Sequence, residues 1–498
     1  MKIESIKELI INLNKKEIKL IKYILKFKNS IINNNKIKLL NYIYEGNTCN
    51  KELIISGLFK NKLTPSSYSN LINSLLVDLL NIILILDTEK IVRSKNFASS
   101  LDLKKCLTYS ELLYRKGHTD LGNYFINKGI EIATEYELPM EALILNELKR
   151  VRFGASGNKK EIESLAFISE KLLKNASSLV KSLSLYNEFS GLNKNQFNLS
   201  KDILEKGFQN TKELEKIYNK VPLAKNGYWY YRSAIFYYLR NENYSKIELF
   251  SKKLLELTKK NKSIYTPVNI AGINLEISEI YLLSKKYEES IESLNISLSL
   301  FNPKLNNYLT ALGSLFLANF HSDQMKECWR IIDQAVAHPK YTEKKENATV
   351  WNYYKVCILF KEGKFSEALK IYNQIAGNLS SSKDELYIYS KLLFLYIQFE
   401  TNKSVLWSYE IASFRKIIPT IKNVTLDRFK IIFQLLHHLD KNEFDFPYVE
   451  AVESDRIQKL QENNFQWKPL GFELIQFEKW FKEKILSFNK TSKLNRRR

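Results

Sequence analysis

The stretch Glu362-Gly363-Lys364-Phe365-Ser366-Glu367-Ala368-Leu369-Lys370-Ile371-Tyr372 decides how the chain reads. A short polar turn ends in an aromatic residue. A small residue follows three positions later, and a large ring four beyond that. On a helix, steps of three and then four put Phe365, Ala368 and Tyr372 on one face. The small side chain lets a neighbouring helix approach closely. The same phrase returns upstream. Asn241-Glu242-Asn243-Tyr244 and Ser284-Lys285-Lys286-Tyr287 are polar turns closing on tyrosine, and Asp323-Gln324-Met325 keeps the phase with a weaker anchor. The anchors lie 43, 38 and 40 residues apart. Ile247, Ser290, Cys328 and Ala368 hold the position three after each anchor, and Ser251, Leu294, Ile332 and Tyr372 the position four further on. A period in that range marks stacked helix pairs rather than one globular core.

The unit around Phe365 resembles the tetratricopeptide repeat, with its Gly-x-Tyr/Phe-x-x-Ala turn and second helix. Residues 284–294 resemble it less closely, because Ser replaces both the glycine and the alanine. Residues 244–251 depart further, with Ile247 at the small position. Gly117-His118-Thr119, followed by Gly122 and Ile126, fits the same turn. Turns at 158–160, 198–200, 401–403 and 440–444 would keep the phase. The expected fold is all-α: a solenoid of roughly eight or nine helix pairs between about residues 106 and 450. It would follow an N-terminal helical, winged-helix-like domain or cap over 1–105. Capping helices over 451–488 and a basic disordered tail over 489–498 would complete the chain.

Composition supports helices. The chain has 498 residues, 45% of them hydrophobic, with only 15 Gly and 9 Pro, so it can fold and has few turn residues to spare for strands. Cys49, Cys106, Cys328 and Cys357 lie far apart, with no Cys-x-x-Cys. This is neither a disulfide framework nor a zinc site, and it suits a reducing cytoplasm. Cys328 and Cys357 fall on packing faces, as apolar filler. The first 28 residues alternate charge with apolar side chains and lack the core of a signal peptide. Polar residues interrupt the apolar run 71–86, so no membrane span is expected and the location read from the sequence is cytoplasmic.

The formal charge is +22, but it is unevenly placed. Residues 1–105 carry 18 basic and 9 acidic groups, residues 482–498 carry 7 and 1, and the 376 residues between hold only +7. The N-terminal segment reads as a helix over 3–27 and shorter pieces over 37–44, 51–58 and 66–86. Asn50 is a candidate N-cap, and Thr64-Pro65-Ser66 a helix start. This order resembles a helix-turn-helix unit, with a small hairpin near 91–93, in which the helix bearing Tyr68 and Asn70 would be the reader. That helix is very apolar, and packing as a cap is the reading favoured over DNA recognition. Residues 470–488 read as a helix covering the last repeat.

The sequence contains no Gly-x-Gly-x-x-Gly, no phosphate loop, no His-Glu-x-x-His and no Gly-x-Ser-x-Gly. His118 and His321 fall in turns, where exposure is expected. His437-His438 are adjacent and splay apart on a helix, so they suit a shared metal poorly. No catalytic residue, metal site or cofactor is assigned. One constellation stands out: Tyr228-Trp229-Tyr230-Tyr231-Arg232 and Phe236-Tyr237-Tyr238-Leu239-Arg240. The tetratricopeptide resemblance implies that the first helix of each pair lines a concave groove. It places Trp229, Arg232, Phe236 and Arg240 toward that groove, with Tyr231 and Tyr238 toward the packing side. Aromatic and Arg residues together suit an interface, although all of these rings could simply pack. The functional expectation is a non-enzymatic scaffold holding a protein or peptide in the concave surface. The alternative is a nucleic-acid-associated regulator with a basic N-terminal domain and a repeat-built sensor, and any nucleic-acid binding is expected to be non-specific.

Overall fold

The computed structural model describes Ile3, Ile6, Lys7, Ile10, Leu13 and residues 15–495, except 28–30, 47–49, 61–62, 86–94, 157–158, 194–200, 242, 344, 383–384, 419–426 and 463–464. Every regular element among the described residues is helical, and the chain forms two compact units, residues 1–129 and 130–498.

The first unit holds α1 (Lys15–Phe27), α2 (Ile31–Tyr44), α3 (Lys51–Leu53, continuing as a π turn through Ile54–Leu58), α4 (Pro65–Ile85) and α5 (Lys95–Arg115). It also takes in the start of α6 (Thr119–Glu135). The single helix expected over 3–27 is broken by a bend at Leu13. The expected caps are in place. The Asn50 side chain accepts from the backbone N–H of Glu52 at 2.9 Å, and Thr64 accepts from that of Ser67 at 3.2 Å, each satisfying an otherwise orphan donor. The helix α4 buries Tyr68, Leu71, Ile72, Leu75, Leu79 and Ile82 against α1 and α2. Asn70, Asn73, Val77 and Leu80 are exposed on its other side. A buried ion pair, Lys36 to Asp78, ties α2 to α4. The hairpin expected near 91–93 lies outside the described residues.

The second unit runs through α7 (Pro139–Ser156), α8 (Lys159–Asn193) and α9 (Lys201–Lys220) into regular pairs. These are α10 (Ala224–Arg240) with α11 (Tyr244–Lys260), α12 (Pro267–Leu283) with α13 (Tyr287–Leu300), and α14 (Asn306–His321) with α15 (Met325–Val336). Next come α16 (Lys345–Lys361) with α17 (Phe365–Ser382), α18 (Glu385–Glu400) with α19 (Ser404–Ile417), and α20 (Asp427–Lys441) with α21 (Phe446–Val452). The short α22 (Ser454–Lys459) and the terminal α23 (Phe477–Asn495) end the chain. The second helices start on the anchor residues Tyr244, Tyr287, Met325 and Phe365. The turn expected at 158–160 falls at the head of α8, whose 35 residues are longer than any repeat helix. The turn expected at 198–200 lies outside the described residues.

One backbone device makes most of these turns. Glu137, Lys285, Asp323, Gly363 and Asn402 all have positive φ, between 49° and 74°. The residue after each donates its N–H back to the carbonyl five positions earlier. The pairs are Leu138 to Ala133 at 2.8 Å, Lys286 to Tyr281 at 2.8 Å, and Gln324 to Asn319, Lys364 to Leu359 and Lys403 to Gln398 at 2.9 Å each. This closes the orphan carbonyls at each helix end. Only Gly363 adopts the left-handed conformation without a side-chain penalty.

The positions three after the anchors are sealed. Ile247, Ser290, Cys328 and Ala368 are all fully buried, as are Ser251, Leu294 and Ile332 four residues on. Ser290 Oγ donates to the Ser278 carbonyl at 2.8 Å, and Cys328 Sγ approaches the Phe316 carbonyl at 3.9 Å. The small side chain thus seats the second helix on the backbone of the first. The anchors themselves are only half-buried. Phe365 packs edge-on to Phe360, with ring centres 5.2 Å apart, and is not a fully buried wedge. Cys328 and Cys357 are buried as expected, and burial pushes the Cys328 thiol up to about 12.

Candidate functional site

Successive first helices α12, α14 and α16 lie side by side and bound an open cavity of about 470 Å³. The helix α14 contributes Asn306, Leu309, Thr310, Gly313, Ser314 and Leu317, and α16 contributes Asn347, Val350, Trp351 and Tyr354. Glu279 of α12 and Leu470 of the C-terminal segment complete the wall. These helices can present such a lining because α14 carries no acidic, Lys or Arg side chain, and because Gly313 leaves a gap in mid-helix with nothing within 4 Å of where a side chain would begin. Trp351 and Tyr354 are held by Phe316, Tyr354 stacked on it at 4.3 Å and Trp351 edge-on at 6.3 Å.

Glu279 is the single charged group of this lining among the described residues. Among the described residues no hydrogen bond or ion pair reaches it. Burial, and then the neighbouring Glu276 carboxyl, push it up to about 7. Glu276, one turn earlier, is paired with Arg232 of α10.

Beyond the cavity the same first-helix face is already covered, and the cover is the chain's own residues 465–476. His321, at the end of α14, hydrogen-bonds the Pro469 carbonyl through Nε2 at 3.0 Å, and its ring meets Trp467 edge-on at 5.0 Å. Tyr353 of α16 donates to the Phe472 carbonyl at 2.6 Å. Arg428 of α20 donates to both oxygens of Glu473 at 2.7 and 2.8 Å, to Glu478 at 2.7 and 3.0 Å, and to the Phe465 carbonyl at 2.7 Å. These buried charges are thereby satisfied. The helix expected from 470 begins only at Phe477, because Pro469 and Gly471 break it and Glu473 instead accepts from the Phe477 N–H at 3.1 Å. Trp480 of α23 then stacks on Tyr396 of α18 at 4.3 Å. His321 is therefore not the exposed turn residue expected, and burial holds its imidazole down at about 4. His118 is exposed as expected.

The four residues singled out from sequence sit on α10. Trp229 is half-buried against Tyr186 of α8 at 4.8 Å and Tyr228 at 5.0 Å. Arg232 is spent on Glu276 and on the Tyr228 hydroxyl at 2.9 Å. Phe236 is half-buried, and the Arg240 side chain lies outside the described residues. Tyr231 and Tyr238 pack on Phe250 of α11, at 6.0 and 5.6 Å. Sequence reasoning missed Glu279 and the cavity. A signal was present: Glu276 and Glu279 are the sole charged residues of α12, one turn apart in an otherwise apolar helix. Among the described residues no group of three or more His, Cys, Asp or Glu side chains is placed to hold a metal. No helix there is long and apolar enough to cross a membrane.

The second unit is a tetratricopeptide-like helical solenoid. No family model matches the chain, and no curated protein matches it. Among solved structures it is similar to the crystal structure of the P58(IPK) TPR domain, at 14% identity over 80% of this chain and 100% of that chain, with a TM-score of 0.23. The assignment of fold rests on the helix pairs and their turns rather than on that likeness.

Proposed function

We propose that this chain is a non-enzymatic binding protein that holds an extended peptide segment of a protein partner on the first-helix face of its solenoid, at the cavity bounded by α12, α14 and α16. One observation carries the reading. The neighbouring stretch of the same face already holds a non-helical polypeptide segment, residues 465–476, through side chains that bind its backbone carbonyls: His321 to Pro469 and Tyr353 to Phe472. Carbonyl recognition of this kind reads backbone rather than sequence, so it suits a peptide of any composition. The cavity of about 470 Å³ then supplies the side-chain pocket, in the size range of ligand sites. Leu470 of the internal segment also lines this cavity.

The test is a selection of a random short-peptide display library on the immobilised full chain, followed by affinity measurement on the wild type and on Gly313→Trp. The tryptophan would fill the cavity from a position with nothing within 4 Å. Enriched peptides should bind the wild type and lose at least about tenfold, or about 1.4 kcal/mol, on Gly313→Trp with unchanged helical content. Equal binding to both proteins would refute this site.

A further inference from the structure

The cavity differs in charge from the rest of the molecule. The chain carries 76 Lys and Arg against 54 Asp and Glu, yet among the described residues no basic side chain lines this cavity and one carboxyl does. The acid is not there to hold the fold together. Glu276, on the same helix, pairs with Arg232, and Arg428 pairs with Glu473 and Glu478, whereas Glu279 meets no cation among the described residues. A half-buried carboxylate without a partner is disfavoured by its own desolvation. A ligand that brings a positive charge removes that penalty, and one that brings an anion adds to it. The remaining wall fits a cationic side chain with an apolar stem. Leu309, Leu317 and Val350 offer packing for methylenes, and the Trp351 and Tyr354 rings also line the cavity.

We propose that the cavity takes a lysine or arginine side chain of the bound peptide, with Glu279 as the anion that pairs its cationic head. This rests on the reading of the first-helix face as a peptide site and adds what the peptide must contain. The same chemistry disfavours an acidic peptide or a phosphate-bearing ligand at this position.

The experiment uses the peptides enriched on the wild-type full chain in the display selection. They are synthesised with each basic residue in turn replaced by methionine, and titrated against the wild type, Glu279→Gln and Gly313→Trp. One basic position should recur among the enriched peptides. Its replacement by methionine, and Glu279→Gln, should each weaken binding about tenfold or more. The two changes together should weaken it little further, because the cycle removes one shared interaction. Glu279→Gln keeps the shape of the side chain, and its helical content is checked by circular dichroism. Enriched peptides without a recurring basic residue, or equal affinity for the wild type and Glu279→Gln, would overturn the inference. If Gly313→Trp abolishes binding while Glu279→Gln leaves it intact, the groove reading stands and the cation inference falls. If neither variant changes binding, or no peptide enriches, both fall.

Discussion

Two neighbouring stretches of one face, built from the same kind of first helix, treat buried charge in opposite ways. From the end of α14 to α20 the face is covered by residues 465–476. There Arg428 has two carboxylates and a carbonyl as partners, and His321 and Tyr353 each meet a backbone oxygen. From α12 to α16 the face is open, and Glu279 has no counter-charge among the described residues. The covered stretch shows what this surface looks like when occupied by polypeptide. On the proposed function, the open stretch is the same surface before occupation. Removing one partner of a buried pair strands the other charge, whereas removing an unpaired charge relieves its desolvation, so the two stretches should respond to mutation with opposite signs.

The largest effect should come from breaking the covered stretch. Glu473→Ala leaves Arg428 buried with one carboxylate fewer, and losing a partner of a buried pair costs about 3–5 kcal/mol. Denaturant unfolding followed by tryptophan fluorescence checks this, since Trp467 donates to the Glu473 carbonyl at 2.8 Å. A change under about 1 kcal/mol would mean that the cover is not held by this pair.

Acid should weaken the same stretch through His321. Its imidazole is held down at about 4 by burial, with Lys361 and Lys479 adding to the effect and the Pro469 carbonyl and Asp323 opposing it. The unfolded chain titrates near 6.5, so between those values the unfolded state binds more protons. Stability is therefore lost as pH falls from about 6.5 to 4, by at most about 3 kcal/mol. His321→Gln should flatten that part of the stability profile.

The open stretch should behave in reverse. The Glu279 carboxyl is pushed up to about 7 from an ordinary value of 4.5, so the folded state holds the proton more tightly. Its cost is present above pH 7 and vanishes as pH falls to 4.5. Glu279→Gln should therefore stabilise the protein at pH 8, by about 2 kcal/mol after allowing for partial exposure, and have almost no effect at pH 4.5. Destabilisation at pH 8 would show that Glu279 has a structural partner and would remove the contrast between the two stretches.

The smallest expected effect compares two turns of the repeat. Gly363 and Lys285 share the left-handed conformation. Gly363→Ala should cost about 1 kcal/mol, and Lys285→Gly should gain up to about as much. Thermal or denaturant unfolding of both variants checks this. The half-buried Phe365 should cost less on truncation than the 3–5 kcal/mol or so of a fully buried ring.

The sequence by itself determined the repeat: the second helices begin on Tyr244, Tyr287, Met325 and Phe365, and the small position after each is sealed. Turns and helix faces are local properties, written in residues three and four apart. The pattern fades where packing conserves volume rather than identity. At the next turn the sizes reverse, with Ser404 starting the helix and Trp407 fully buried three residues later. It also fades where Lys285, Asp323 and Asn402 adopt a backbone conformation that glycine would have announced. The aromatic cluster of α10 was legible as a cluster, but whether Arg232 was free depended on Glu276, 44 residues away. The cavity and its cover were decided by tertiary structure alone. They need three helices side by side and a segment more than a hundred residues further along the chain, Phe472 against Tyr353. No local spacing encodes a contact of that range, because it arises only when the stacked pairs have already fixed where each first helix lies.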